Sequence, residues 1–340
     1  MPLYDLRSDT VTLPTSEMRK AISKADLGDD VYGEDPTVNR LQEMAAKITG
    51  KKAALFVPSG SMGNLIPIFL NCGRGNEVLA HERAHILHYE MASITAIAGA
   101  MPVPVIGDRG ILTPDALTEK VRPGVYSMPR TAMVAVENTH NAAGGTCYTL
   151  QELKDIYDFA KKNDLKMHMD GARIFNAALA VEESAKRLCA QTDTVTFCLS
   201  KGLGAPVGSV LCGPQEFIDE ARRIRKMLGG GMRQAGILAA AGIYALENNI
   251  ERLAEDHANA KKLAEALYDC PWAEIDPVTI ETNIVFFRTS KDAETIAAGL
   301  KRKGILCGAP GPRLIRMVTN LGITTNDIDK VCTILRESKF

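Results

Sequence analysis

The 340-residue sequence predicts an α/β protein, with a large domain on a mostly parallel sheet and a small C-terminal α+β domain. Short β-rich runs alternate with amphipathic helical segments, the pattern of a parallel sheet covered on both faces. The pattern changes character near Asn248. The length itself exceeds one comfortable core and falls short of three.

In the first 248 residues the expected strands are Ala53–Val57, Val103–Ile106, Met133–Val136, Lys166–Met169, Thr194–Leu199 and Ser209–Cys212. Between them Thr149–Lys162 and Pro214–Met227 carry apolar residues at three- and four-residue spacing, as one-sided helices do. The Ala-rich stretch Gln234–Asn248 predicts a long helix. Residues 249–340 then read as helix Ile250–Tyr268, a Pro-containing link, strands Asn283–Arg288 and Leu314–Val318, and helices Asp292–Lys303 and Thr325–Glu337. The expected division is thus 1–248 and 249–340. In such sheets ligands bind at the carboxyl ends of the strands.

Apolar residues make up 46% and the formal net charge is −1. Lys and Arg are scattered, which argues against a nucleic-acid surface, and no apolar run has bilayer-spanning length. The eight cysteines are far apart with no C-x-x-C pair, and several sit in apolar runs. Buried reduced thiols in the cytoplasm are therefore expected, rather than a disulfide framework or zinc site.

In Phe197-Cys-Leu-Ser-Lys-Gly-Leu-Gly-Ala-Pro-Val-Gly208, Lys201 follows a strand and opens a glycine-rich loop. A Rossmann fingerprint would open a helix, and a Walker A loop puts its Lys after the glycines, so neither fits. A lysine whose ammonium loses hydration there suits Schiff-base chemistry with an aldehyde. The strand Leu165-Lys-Met-His-Met-Asp170 ends in an aspartate that can pair with a protonated pyridine nitrogen, the partner pyridoxal phosphate needs. His168, on the same strand face, orients Asp170 or makes only a structural hydrogen bond. In Leu55-Phe-Val-Pro-Ser-Gly-Ser-Met-Gly-Asn64 a strand meets Ser59, Gly60 and Ser61. A helix starting at Ser61 would form a phosphate site or merely a capped helix start. Arg233 is either a phosphate clamp or a solvated charge.

The motifs Arg7-Ser-Asp-Thr-Val-Thr12, Gly28-Asp-Asp-Val-Tyr-Gly-Glu-Asp-Pro36, Pro58-Ser-Gly-Ser-Met-Gly63, Glu137-Asn-Thr-His-Asn141 and Asp170-Gly-Ala-Arg-Ile-Phe-Asn176 resemble those of the threonine aldolase family. So do Cys198–Gly208 and Gly229-Gly-Gly-Met-Arg-Gln-Ala-Gly236, and the blocks run in the family's order over nearly the whole chain. The resemblance implies the aspartate aminotransferase-like fold (fold type I) and pyridoxal 5'-phosphate. It also implies cleavage of L-threonine or L-allo-threonine to glycine and acetaldehyde. A β-eliminating lyase of the same fold is the alternative. Carried over by position, Lys201 is the Schiff-base residue and Asp170 the pyridinium partner. Ser59, Gly60 and Ser61 hold the phosphate, with Arg233 of a neighbouring subunit. His85 stacks on the ring, although residues alone do not choose among His81, His85 and His88. Ser8, Arg173 and Arg316 bind the substrate carboxylate, and Arg173 belongs to the cofactor set as well.

No metal is expected, because His85 and His88 find no third ligand. The family resemblance further implies a homotetramer, a dimer of dimers with shared active sites, and the apolar helix after Arg233 suits an intersubunit surface. One departure is Val125-Tyr-Ser-Met-Pro-Arg130, which puts Ser127 where the family has a histidine. Serine donates a hydrogen bond but is no base near pH 7, so His85 is the expected base, directly or through a water. His81 and His88 are expected outside the site.

Overall fold

The computed structural model describes residues 2–340. Among them thirteen strands occur: β1 (Tyr4–Asp5), β2 (Ala53–Val57), β3 (Glu77–His81), β4 (Met101–Val105), β5 (Thr131–Glu137), β6 (Lys166–Asp170), β7 (Thr194–Cys198), β8 (Ser209–Gly213), β9 (Ala273–Glu274), β10 (Ile284–Thr289), β11 (Ile305–Leu306), β12 (Gly308–Gly311) and β13 (Leu314–Val318). Seven form the main sheet in the order β2-β8-β7-β6-β5-β3-β4. All run parallel except β8, which is antiparallel to both β2 and β7. This is the mostly parallel α/β architecture expected.

Strands β3, β5, β7 and β8 are buried along their whole length. Helices on both faces remove every side chain from water, so alternation disappears from the sequence. Each such Val, Leu, Ile or Phe contributes about 1.5–3 kcal/mol. Strand β3 had no counterpart in the sequence reading. Its ends are polar, and Glu77 is tolerated inside because Arg122 Nε, 3.2 Å from its Oε1, and the Thr131 hydroxyl meet it from distant segments.

The helix Gly60–Asn71 starts one residue earlier than expected, with Ser59 as its N-cap accepting from Met62 N–H at 3.2 Å. It lies hard against β7: a Cβ on Gly63 would fall 2.4 Å from Thr196 Cγ2. The helix Gly236–Asn248 forms close to the expected bounds, with Ile237 exposed near its start. Most of its apolar surface is spent inside the chain, with Ala239, Ala241 and Ala245 fully buried and Gly242 packed on Leu199 and Leu41.

A second core gathers around the helix Leu253–Tyr268 and the antiparallel sheet β12-β13-β10-β9. The first strand departs from the expected division at residue 248. Strand β1 pairs with β11 in parallel, and Tyr4 and Leu6 are buried in this second core. The chain enters through the C-terminal unit and crosses to the large one at Arg7–Val11.

The carboxyl ends of β2, β3, β5, β6 and β7 share one edge of the main sheet, where the next residues of interest follow. Since Gly63 sets how closely the helix Gly60–Asn71 meets that sheet, Gly63→Val should destabilise the protein by about 1–3 kcal/mol through overpacking. Urea unfolding followed by circular dichroism measures it.

Candidate active site

Asp170 closes β6 at the floor of a cavity of about 240 Å³. Its Oδ2 accepts from Asn64 Nδ2 at 2.9 Å and its Oδ1 from the Ala172 N–H at 3.1 Å. The expected contact from His168 is indirect. Its Nε2 lies 3.2 Å from Asn64 Oδ1 and its Nδ1 2.9 Å from Thr194 Oγ1. Burial pushes the His168 pKa down to about 4, so the ring is neutral and serves as a spacer.

His85 begins a short helix, His85–His88, four residues after β3. Its Nδ1 is 2.9 Å from Glu90 Oε1, and its backbone N–H donates to Glu137 Oε2 at 2.7 Å. Burial favours the neutral ring, but the Glu90 hydrogen bond and the charges of Asp170, Glu90 and Glu137 outweigh it and carry the His85 pKa above 6.5. Burial, then the charge of Asp170, push the Glu137 carboxyl upward. Asn64, Glu90 and Glu137 were not singled out from the sequence. The one signal was an amide inside an otherwise apolar helical turn. Ligand atoms of His85, Glu90 and Asp170 lie within 4.8 Å of one another, yet the Asn64 amide donates to both carboxylates. A cation there would face those hydrogens.

Lys201 lines the same cavity, as do Pro58, Ser59, Gly60, Ser61 and Cys198. The Ser59 hydroxyl caps Met62 N–H, and Gly63 N–H bonds the Ser59 carbonyl. Gly60 and Ser61 N–H therefore have no intrachain partner among the described residues, and they sit at the positive end of a twelve-residue helix. A Cβ on Gly60 would reach 2.9 Å from Cys198 Sγ, so the cradle wall needs glycine there. Donors for a phosphate, an acid for a ring nitrogen and an amine for an aldehyde thus fit pyridoxal phosphate. Arg233 is outside this cavity within the chain: half-exposed, it pairs with Asp29 Oδ2 at 2.8 Å.

A larger cleft of about 640 Å³ shares Thr10, His85 and Lys201 with the smaller cavity. Ser8, Arg173 and Arg316 all line it. The two arginines differ. Arg173 is bidentate on Asp9 (Nε–Oδ2 2.6 Å, Nη2–Oδ1 2.7 Å), with both side chains buried. Burial alone would raise the Asp9 carboxyl, but the charges of Arg173, Lys201 and Arg316 and the Arg173 hydrogen bonds hold it far below the usual carboxylate range. Arg316, on β13, bonds only neutral acceptors, the Arg7 carbonyl at 3.1 Å and Asn141 Oδ1 at 2.8 Å. Its Nε has no partner among the described residues. Burial and the charge of Arg173 bring its pKa down to about 10, which leaves a cation short of an anion.

The Ser8 hydroxyl caps Thr10 N–H at 3.2 Å. His88, expected outside, lines the cleft, with its Nε2 2.6 Å from the Glu82 carbonyl. Ser127 is exposed in the segment after Arg122, away from the cleft of its own chain. Asp9→Asn should cost about 3–5 kcal/mol, because it strands the buried Arg173 charge. Chemical denaturation at neutral pH gives the value.

Residues 5–290 match the model of a family described as beta-eliminating lyase. The chain is 43% identical over 336 residues to low-specificity L-threonine aldolase 1 of Arabidopsis thaliana, covering 96% of this chain and 94% of that one. It is 42% identical to the low specificity L-threonine aldolase of Escherichia coli K12, with 97% of each chain covered. A solved threonine aldolase from Leishmania major superposes with a TM-score of 0.84 at 20% identity, covering 98% of both chains, which speaks for the fold. With the acid, amine and phosphate cradle in one cavity, and with relatives of this identity over nearly their whole length, the chain belongs to the beta-eliminating lyase family, among its low-specificity L-threonine aldolases.

Proposed function

We propose that this enzyme cleaves L-threonine and L-allo-threonine to glycine and acetaldehyde. The observation that carries the reading is the meeting of two sites at Lys201. The phosphate-and-acid cavity lies on one side, and the cleft with the unmatched Arg316 lies on the other. Pyridoxal phosphate, when bound, supplies an electron sink for the pair released from the Cα–Cβ bond.

The residues around it have separate tasks. The Lys201 amine would hold the cofactor's aldehyde carbon, and the Asp170 carboxylate would keep the ring nitrogen protonated. Gly60 and Ser61 N–H, with Ser59 and Arg233 of a neighbouring subunit, would hold the phosphate. Arg316 would take the substrate carboxylate through its planar fork. Arg173, already neutralised by Asp9, has Nη1 left for it, held only by Asn141 at 3.4 Å. Ser8 would contribute its hydroxyl. His85 would remove the β-hydroxyl proton, and its ring would lie over the pyridine.

A homotetramer with shared sites goes with the Arg233 assignment. Exposed Tyr32, Met227 and Ile237 flank the Asp29–Arg233 pair in sequence and offer apolar surface for a second copy. The cytoplasm is the proposed compartment, since all eight cysteines are free thiols and seven are buried. Among the described residues no helix is long and apolar enough to cross a membrane. The family description keeps β-elimination as the second reading. Products separate the two: glycine plus acetaldehyde for the aldolase, ammonia plus an α-keto acid for the eliminase.

Steady-state kinetics on both threonine diastereomers, with acetaldehyde detection, test the proposal, and ammonia without glycine would refute it. Lys201→Ala should lose the visible band of the bound cofactor. His85→Asn should lower turnover by about 10²–10⁴-fold with cofactor still bound. Arg316→Ala should raise KM by about 10–100-fold, the loss of a charged hydrogen bond, with smaller effect on kcat. Because His85 is useful only when neutral and its pKa is raised, the acid limb of kcat/KM should lie above pH 6.5.

A further inference from the structure

Thr194, His168, Asn64, Glu90 and His85 form a line of hydrogen bonds beneath the cavity. Its donor direction can be worked out from one end. Asn64 Nδ2 lies 2.9 Å from both Glu90 Oε1 and Asp170 Oδ2, so its two hydrogens go to two carboxylates. A flipped amide would set its oxygen against both, which fixes the orientation. Asn64 Oδ1 must then accept, so neutral His168 donates from Nε2 and accepts from the Thr194 hydroxyl at Nδ1. Glu90 Oε1, already receiving the Asn64 hydrogen, accepts a second from His85 Nδ1.

We infer that Glu90, held by Asn64, is a positioning residue that locks His85 as the Nδ1–H tautomer and leaves Nε2 as the basic nitrogen for the cleft. The inference deepens the proposed aldolase reading and rests on His85 being its base. The Glu90 side chain is 1% exposed, so water does not compete for its carboxylate. A histidine base needs this arrangement, since the nitrogen it uses is set by the bond the other one makes. Asn64 also ties the two acids together. The amide that orients Asp170 is the one that holds Glu90 against His85.

The charged groups facing His85 are Glu90 from the turn after its helix, Glu137 from the end of β5 and Asp170 from the end of β6. Lys201 and Arg83 stand on the cleft wall beside it. Of these, the Glu90 carboxylate alone is bonded to the ring. Removing its charge should therefore lower the His85 pKa, whereas removing its oxygen atoms should free the tautomer.

The test uses 15N-histidine spectra of the full-length chain, which has six histidines, alongside the pH profile of the loaded enzyme. In the unaltered protein, neutral His85 should carry its proton on Nδ1. Glu90→Gln keeps an acceptor oxygen, so the tautomer should stay while His85 titrates about 1–3 units lower, and the acid limb of kcat/KM should follow. Glu90→Ala should release His85 to the Nε2–H form and lower kcat about 10–100-fold, as loss of an orienting partner does elsewhere, with KM within about twofold. An Nε2–H form in the unaltered protein overturns the inference. So does an unmoved His85 titration in Glu90→Gln, which decides the matter alone should Glu90→Ala fail to fold. A locked His85 in a protein releasing no glycine from threonine would leave this inference standing and remove the aldolase reading.

Discussion

A carboxylate placed in the floor of a cavity must be met by donors, and the rest of this site is arranged around how Asp170 is met. Asn64 supplies one hydrogen bond, and Asn64 is four residues beyond Gly60, on the same face of one helix. The helix whose free N–H groups would hold a phosphate therefore also orients the acid proposed to meet the ring nitrogen. The proposed phosphate donors and the amide that meets the acid are thus about one helical turn apart. Gly63, between them, lets that helix lie against β7, whose continuation carries Lys201. Three separate groups are thus positioned by one rigid contact.

Two arginines in the same cleft show how context decides what a side chain does. Arg173 and Arg316 read alike in sequence, as planar cations suited to carboxylates. Asp9 arrives from 164 residues away and commits two faces of Arg173 to a buried pair. Arg316 meets only a carbonyl and an amide, and so retains the demand for an anion. The energetics follow from the same difference: the first pair is structural because breaking it strands a charge, whereas among the described residues no carboxylate is bonded to the second guanidinium.

Much of this was legible in the residues, and the exceptions have physical reasons. Lys201, Asp170 and the Ser59–Ser61 turn stand at strand ends, where α/β sheets place ligands, so their meeting in one cavity could be read locally. Six of the seven strands of the main sheet were expected. Strand β3 was not, because Glu77 and His81 look exposed until Arg122, Thr131 and the Gly107 carbonyl come to meet them. Glu90 and Glu137 escaped notice for the same reason, since their value comes from His85 and Asn141, reached only after folding. His168 left two readings open, an orienting bond to Asp170 or a structural one, and it reaches Asp170 only through an amide from another helix.

The pairing of β1 with β11 has a bearing on biosynthesis. Ser8 and Asp9 emerge from the ribosome nearly three hundred residues before Ile305, where the strand that leads into them finds its partner. The large sheet can be complete while the nascent polypeptide is still tethered, but the arginine-lined mouth cannot. Competence for substrate waits on synthesis past Val318, when β11 and β13 have left the exit tunnel and captured the Tyr4–Leu6 segment.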